Sequence, residues 1–268
     1  MIAALVAAQL AATVSGQPCE SLRSLQIPGA TIQSAELTPA GVFQRPQGPG
    51  PAPSAAPQPQ PIPAHCTVKM VLRPSADSDI NVELWMPIDH WNGKFLAVGN
   101  GGWAGSIQGY RDMEEALRRG YATAGTDTGH SAKDGPSGMF ALGHPQKLVD
   151  FAYRAVHDMA DKSKYVIDTF YARPIEYSYF KGCSTGGRQA VMEAQRYPGD
   201  FDGIIAGSLA NRHIHMHTAA VATAIRLARH PEEAISPAKA KLVNDAVMKQ
   251  CDTLHEGFLN DPRQCSFK

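Results

Sequence analysis

The stretch Ile175–Pro198, IEYSYFKGCSTGGRQAVMEAQRYP, holds the pattern from which the rest of the chain is built outward. Its first half alternates apolar and polar residues like a half-buried strand, and its second half carries the apolar spacing of a helix. Between them lies Gly182-Cys183-Ser184-Thr185-Gly186, a G-x-S-x-G pentapeptide followed by Gly187. A strand, a sharp turn and a helix are the setting in which the serine of such a motif acts as a nucleophile. A side chain at Gly182 or Gly186 would collide with neighbouring backbone in that turn. The turn lifts the Ser184 hydroxyl above the sheet edge. It also aims the helix N-terminus, from Thr185 and Gly186 onward, at an oxyanion formed by attack on an ester carbonyl. The plain alternative is a structural glycine-rich turn.

Outward from this turn, helix and strand alternate. Residues 66–87, CTVKMVLRPSADSDINVELWMP, hold two β-rich runs around a turn, and KFLAVGNGG adds a strand that ends in glycines. RDMEEALRRG is helical, YATAGTDTG is a strand with its exit loop, and HPQKLVDFAYRAVHDMADKSKYVIDTFYA reads as one long amphipathic helix. FDGIIAGSLA supplies a further strand. This alternation predicts an α/β fold with a mostly parallel central sheet and helices on both faces. Residues 45–64 are dominated by Pro, Gln and Gly and are expected to run as a surface loop. The pattern changes after Asn211, so the expected division is 17–210 for the catalytic domain's N-terminal part and 211–268 for the start of a second.

The chain has 268 residues, enough for one large domain or a domain and part of another. Its 25 basic and 25 acidic residues cancel, which argues against nucleic acid or an anionic membrane surface as the main partner and favours a small, weakly charged ligand. Residues 1–16 are small and apolar, with Ser15 and Gly16 where a signal peptidase would cut, although no positive charge follows Met1. They read as an export signal, with a buried helix as the alternative, and place the protein outside the cytoplasm, secreted or periplasmic. No later stretch offers the ~18 uninterrupted apolar residues of a spanning helix. In an exported chain the five cysteines belong to disulfide chemistry. Cys19 with Cys66, and Cys251 with Cys265, each bracket one irregular segment and are the expected pairs. Cys183, next to Ser184, is left over.

An oxyanion hole also needs amides from a glycine-rich loop after an earlier strand, and FLAVGNGGWAGS, with Gly101 and Gly102, occupies that place. Together, ELWMPIDHWNGKFLAVGNGGWAG, TDTGH, DFAYRAVHD, KGCSTGGRQAVMEAQRYPGDFDGIIAG and CDTL…DPRQCSF resemble the tannase and feruloyl esterase family, which includes hydrolases of terephthalate half-esters. The resemblance runs from about Cys19 to the end. It implies an α/β-hydrolase fold cut within its lid domain, with Ser184 as nucleophile and the Thr185 amide joining the Gly101 and Gly102 loop at the oxyanion. It implies a small aromatic acid ester, such as a gallate or hydroxycinnamate, as substrate, with no cofactor required for catalysis. In the family the cysteine before the nucleophile is bonded to one before the catalytic histidine. Cys183 matches the first position, and its partner is absent from this sequence.

The family's catalytic Asp and His follow the lid, and no segment after Ser184 matches them. A serine hydroxyl without a base is a poor nucleophile, so the expectation for these residues alone is little or no esterase activity. The rival reading is an inactive fragment or a non-catalytic relative that binds ligand. A third is a metal-dependent hydrolase built on His213, His215 and His217. His130, after TDTG, is expected to be a hydrogen-bonded histidine near the pocket floor. The Cys251–Cys265 segment resembles the family's calcium loop in shortened form, with Asp252 and Glu256 as the remaining ligands for a structural Ca2+.

Overall fold

The computed structural model describes residues 17–46, 60–135 and 137–267. The export-signal reading of residues 1–16, and residues 47–59 of the Pro/Gln-rich stretch, lie outside the described residues. The chain divides into two compact units, residues up to Asn211 and Arg212–Lys268.

In the first unit seven strands form one sheet in the order β1-β2-β3-β5-β4-β6-β7. They are β1 (Ala30–Thr38), β2 (His65–Leu72), β3 (Ile80–Pro87), β4 (Lys94–Val98), β5 (Ala122–Thr126), β6 (Tyr177–Cys183) and β7 (Gly203–Gly207). β1 pairs antiparallel with β2, β2 with β3, and β3 with β5, and only the β2–β3 connection, residues 73–79, is short. The remaining pairs, β5 with β4, β4 with β6 and β6 with β7, are parallel. Parallel neighbours need a crossover. Helix α1 (Tyr110–Arg118) makes the one after β4, helices α2 (Pro145–Val149) and α3 (Ala155–Tyr171) the one after β5, and α4 (Thr185–Arg196) the one after β6. Because β4 and β6 are neighbours, with Val98 opposite Lys181, their carboxyl ends open side by side. The loop that begins at Gly99 therefore starts beside the turn at Ser184, and the Gly99 amide donates to the Lys181 carbonyl at 2.9 Å.

The core under this sheet is apolar and closed. Leu84, Met86, Phe95, Met159, Ile167 and Phe180 are all fully buried in one cluster. Each such side chain contributes ~1.5–3 kcal/mol relative to exposure. The Cys19–Cys66 disulfide ties the first described turn to β2, and Cys251–Cys265 closes the end of the second unit.

Two elements differ from the sequence reading. The helix expected as continuous over residues 144–172 is α2 and α3 joined through a π turn, Asp150–Arg154. A π turn leaves carbonyls unclaimed by the helix ladder. The Arg188 guanidinium takes two of them, Ala152 at 2.7 Å and Phe151 at 3.0 Å, while Arg154 bonds Asp150 at 2.6 Å. The other difference is β1, an edge strand whose burial pattern alternates poorly and whose register slips at Ile32/Ser34. Of the loop over residues 45–64, the described ends are anchored: Arg45 makes a bidentate pair with buried Glu114, and Ile62 is buried.

Glu193, on the inner side of α4, is fully buried, and no donor reaches either of its carboxylate oxygens. Burial, with Asp200 opposite, pushes its carboxyl up to about 8. A folded-state value above the unfolded one means that the contribution to stability is present in full below the ordinary glutamate range and is lost as pH rises through about 8. In chelator-treated protein, thermal stability is expected to fall from roughly pH 7 to 9, and Glu193→Gln to flatten that fall. Fluorimetric melting across that range checks both.

The second unit holds α5 (His213–Arg229) and α6 (Pro237–Cys251), the latter capped by Ser236, whose hydroxyl accepts from the Lys239 amide. No helix among the described residues is long and apolar enough to cross a membrane.

Candidate active site

Ser184 stands between the end of β6 and the first turn of α4 with φ 60° and ψ −117°. A non-glycine residue in this region is strained, at a cost of ~1–3 kcal/mol, and needs surroundings that over-determine it. They do so through the backbone. The Ser184 amide donates to the Gly207 carbonyl at 3.1 Å, and its carbonyl accepts from Arg188 at 3.0 Å and from Ala210 at 3.3 Å. The residue is exposed. No side chain among the described residues is bonded to its Oγ, so these residues present the hydroxyl without a base.

The neighbouring loop, Gly99–Trp103, is bolted to the same helix. The Gly186 amide donates to the Asn100 carbonyl at 2.7 Å, and buried Thr185 donates its Oγ1 proton to the Gly102 carbonyl at 2.6 Å. Asn100 and Gln189, both buried, exchange two bonds: the Asn100 amide to Gln189 Oε1 at 3.0 Å and Gln189 Nε2 to Asn100 Oδ1 at 3.1 Å. Asn100 Nδ2 also donates to the Thr126 carbonyl at 2.7 Å, fastening the loop to the end of β5. Three strand ends are thus locked to one helix start.

Of the two loop glycines expected to stabilise an oxyanion, Gly101 has its amide donated to Gln108 Oε1 at 2.9 Å. The Gln108 side chain, seven residues along the same loop, is what claims it. Gly102, exposed and at φ 56°, keeps an amide with no protein acceptor among the described residues. The Thr185 amide is the first of α4 and has no acceptor within the helix. Replacing Thr185 with Val removes the bond that holds Gly102. A loss of ~1 kcal/mol in urea-measured stability and a roughly tenfold slower labelling by a serine-reactive fluorophosphonate are the expected results.

Trp103 continues the loop into an aromatic wall, stacked on Phe151 at 5.7 Å and edge-on to Phe140 at 6.5 Å. His130 donates from Nε2 to the Trp103 carbonyl at 2.6 Å and stacks on Phe140 at 3.6 Å. Burial lowers its pKa, against the hydrogen bond to Trp103, which favours the protonated ring. It is a structural clamp on the loop, as expected. Asp127 shapes the preceding bend: its carboxylate accepts from the Asn81 amide and side chain and from the Gly129 amide, at 2.7–2.9 Å. Burial raises it to about 6. Asn100, Gln189, Arg188 and Asp127 all escaped the sequence reading.

Cys183 is exposed and unpaired among the described residues. In the second unit the oxygens of Asp252 are taken by the Glu256 and Gly257 amides, at 3.0 and 2.8 Å, and Glu256 accepts from Asn260. Among the described residues no third acidic, histidine or cysteine ligand atom gathers with them. His213 and His217 face each other on α5, Nε2 to Nε2 at 3.2 Å, but belong to no such ligand group, and His215 adds none.

The family model for tannase and feruloyl esterase matches residues 66–268. The chain belongs to the tannase and feruloyl esterase family. It is 40% identical over 267 residues to an uncharacterized esterase of Xanthomonas campestris pv. campestris, covering 98% of this chain and 45% of that protein. It is 37% identical over 204 residues to a probable feruloyl esterase B-2 of Neosartorya fischeri, covering 75% of this chain and 38% of the relative. The crystal structure of feruloyl esterase B from Aspergillus oryzae superposes with a TM-score of 0.76 at 32% identity, over 92% of this chain and 48% of that one. The shared fold is the α/β-hydrolase fold with a mixed, mostly parallel sheet. The chain spans less than half the length of each of these relatives.

Proposed function

We propose that this tannase and feruloyl esterase family member is a serine carboxylic ester hydrolase for aromatic acid esters, with Ser184 as the acylated residue. The observation that carries the reading is the exposed Ser184 on a strained turn, with the Thr185 amide and the tethered Gly102 amide both left without a protein acceptor among the described residues. Attack by Oγ on the ester carbonyl forms a C–O bond and places negative charge on the carbonyl oxygen, which those two amides receive. Collapse breaks the bond to the alcohol, leaving an acyl-serine that water then cleaves. A general base must take the Oγ proton and pass it to the leaving alkoxide, and none of the described residues is bonded to Oγ to do so. Turnover by these residues alone is therefore slow, and acylation by an activated reagent is the sensitive measure. Feruloyl esterase relatives point to hydroxycinnamate esters as the substrate class, with gallate esters next. Export fits the two disulfides and the apolar residues 1–16.

The test is reaction with a fluorophosphonate, location of the adduct by mass spectrometry, and hydrolysis of methyl ferulate and methyl gallate. The adduct is expected on Ser184, with measurable ferulate release. An adduct on another serine, or saturable methyl ferulate binding with no adduct at all, overturns the proposal.

A further inference from the structure

Glu193 on α4, His157 on α3 and Asp200 in the turn before β7 meet at the end of α4 remote from Ser184. Their ligand-capable atoms all lie within 4.8 Å of one another. Nine residues of α-helix separate Glu193 from Ser184, roughly 14 Å along the axis. The cluster therefore takes no part in acyl transfer.

Its chemistry is unbalanced as it stands. Glu193 is fully buried, and neither carboxylate oxygen meets a donor. Its polar neighbour is the Asp200 carboxyl, to which it can bond only if one of the two carries a proton. The nearby Lys164 ammonium is committed elsewhere, donating to the Asp200 backbone carbonyl, which also accepts from Ser178 Oγ at 3.0 Å. Meanwhile His157 Nδ1 lies 2.7 Å from Asp200 Oδ2, and the Tyr197 ring stacks on the imidazole at 3.7 Å with 8° between planes, fixing its orientation. Two facing acceptors and an oriented imidazole want a positive centre between them. A proton would serve the two carboxylates only. A divalent cation would draw a ligand from all three.

We propose that His157, Glu193 and Asp200 form a structural site for a divalent cation of the zinc class, which pins α3 and α4 to the turn before β7. One imidazole and two carboxylates suit Zn2+ better than Ca2+, which takes an all-oxygen shell of six to eight ligands. The exposed group His230, Glu232 and Glu233 in the second unit has ligand atoms as close together but lacks a buried, unpaired carboxylate.

The test uses the full chain, stripped with chelator, with Zn2+ and Ca2+ titrated against the wild type, Glu193→Gln and His157→Ala, followed by melting temperature and calorimetry. Zn2+ is expected to raise the wild-type Tm by a few degrees, as ligand linkage requires, and to bind at one equivalent that both substitutions remove. Glu193→Gln is the decisive variant, because glutamine copies the shape of the neutral acid and keeps the metal-free protein folded. Ca2+ is expected to give no shift that depends on these residues. If Zn2+ shifts the wild type and Glu193→Gln equally, or shifts neither, the pair holds a proton and the proposal falls. None of these readouts uses esterase activity, so the result stands apart from the fate of Ser184.

Discussion

Ser184→Gly is expected to abolish fluorophosphonate labelling and, at the same time, to stabilise the protein by about 1 kcal/mol. The two effects come from one backbone conformation. At φ 60° and ψ −117° a side chain at position 184 is held in a region that only glycine enters freely. Removing Cβ releases strain of ~1–3 kcal/mol, from which the greater freedom of glycine in the unfolded chain subtracts ~0.5–1 kcal/mol. Ser184→Ala keeps the strain and loses only the hydroxyl, so its stability should match the wild type while its labelling also falls to background. The pair separates strain from chemistry. Urea denaturation gives the stabilities, and gel fluorescence gives the labelling. A glycine variant less stable than the alanine variant would mean that the turn is unstrained, and with it the reason for the exposed hydroxyl would be lost.

How much of this site was legible in the sequence follows from how local each part is. The elbow is local: Gly182, Ser184, Gly186 and Gly187 fall within six residues, and the strand and helix on either side carry clean periodicities, so the strand–turn–helix that presents Ser184 could be read directly. The two disulfides were legible because each joins cysteines that are neighbours in the order along the chain, although the Cys19–Cys66 segment also holds β1. The lock on the oxyanion loop is not local. Asn100 and Gln189 are 89 residues apart, and only the neighbouring of β4 and β6 brings them together. The glycine Gly101 read as a donor because sequence shows that an amide exists, not that Gln108 has already taken it. The π turn hid inside an apolar helical pattern for the same reason: Arg188, which claims its carbonyls, comes from the next helix but one in the sheet crossover. Edge strand β1 escaped because only Ile32 and Ala35 of its residues are buried and its register slips between Ile32 and Ser34, which leaves no period-2 alternation to read.

Gly182→Ala should do the most damage of any single methyl group added to the molecule, at a cost of about 3 kcal/mol or more. A Cβ at Gly182 would come far inside van der Waals contact with the carbonyl oxygen and carbon of Gly186 and lie 2.8 Å from its Cα. Both colliding partners are backbone, so no side chain can swing aside. Gly186 cannot retreat, because its amide is bonded to Asn100 at 2.7 Å and a Cβ built on Gly99 would already lie 2.7 Å from its Cα. Either α4 lifts from β6, breaking the Asn100–Gln189 exchange, or the strand end bends and carries Ser184 with it. Both routes spoil the alignment of Ser184 with the Thr185 and Gly102 amides. Against a total stability of ~5–15 kcal/mol for a typical domain, such a loss leaves a markedly lower melting temperature, and labelling should be lost even in the fraction that stays folded. Gly199→Ala is the control, since a Cβ there meets nothing within 4 Å and the change should be neutral or slightly stabilising. Equal melting temperatures and equal labelling for the two alanine variants would show that β6 and α4 do not meet at the close approach on which the presentation of Ser184 depends.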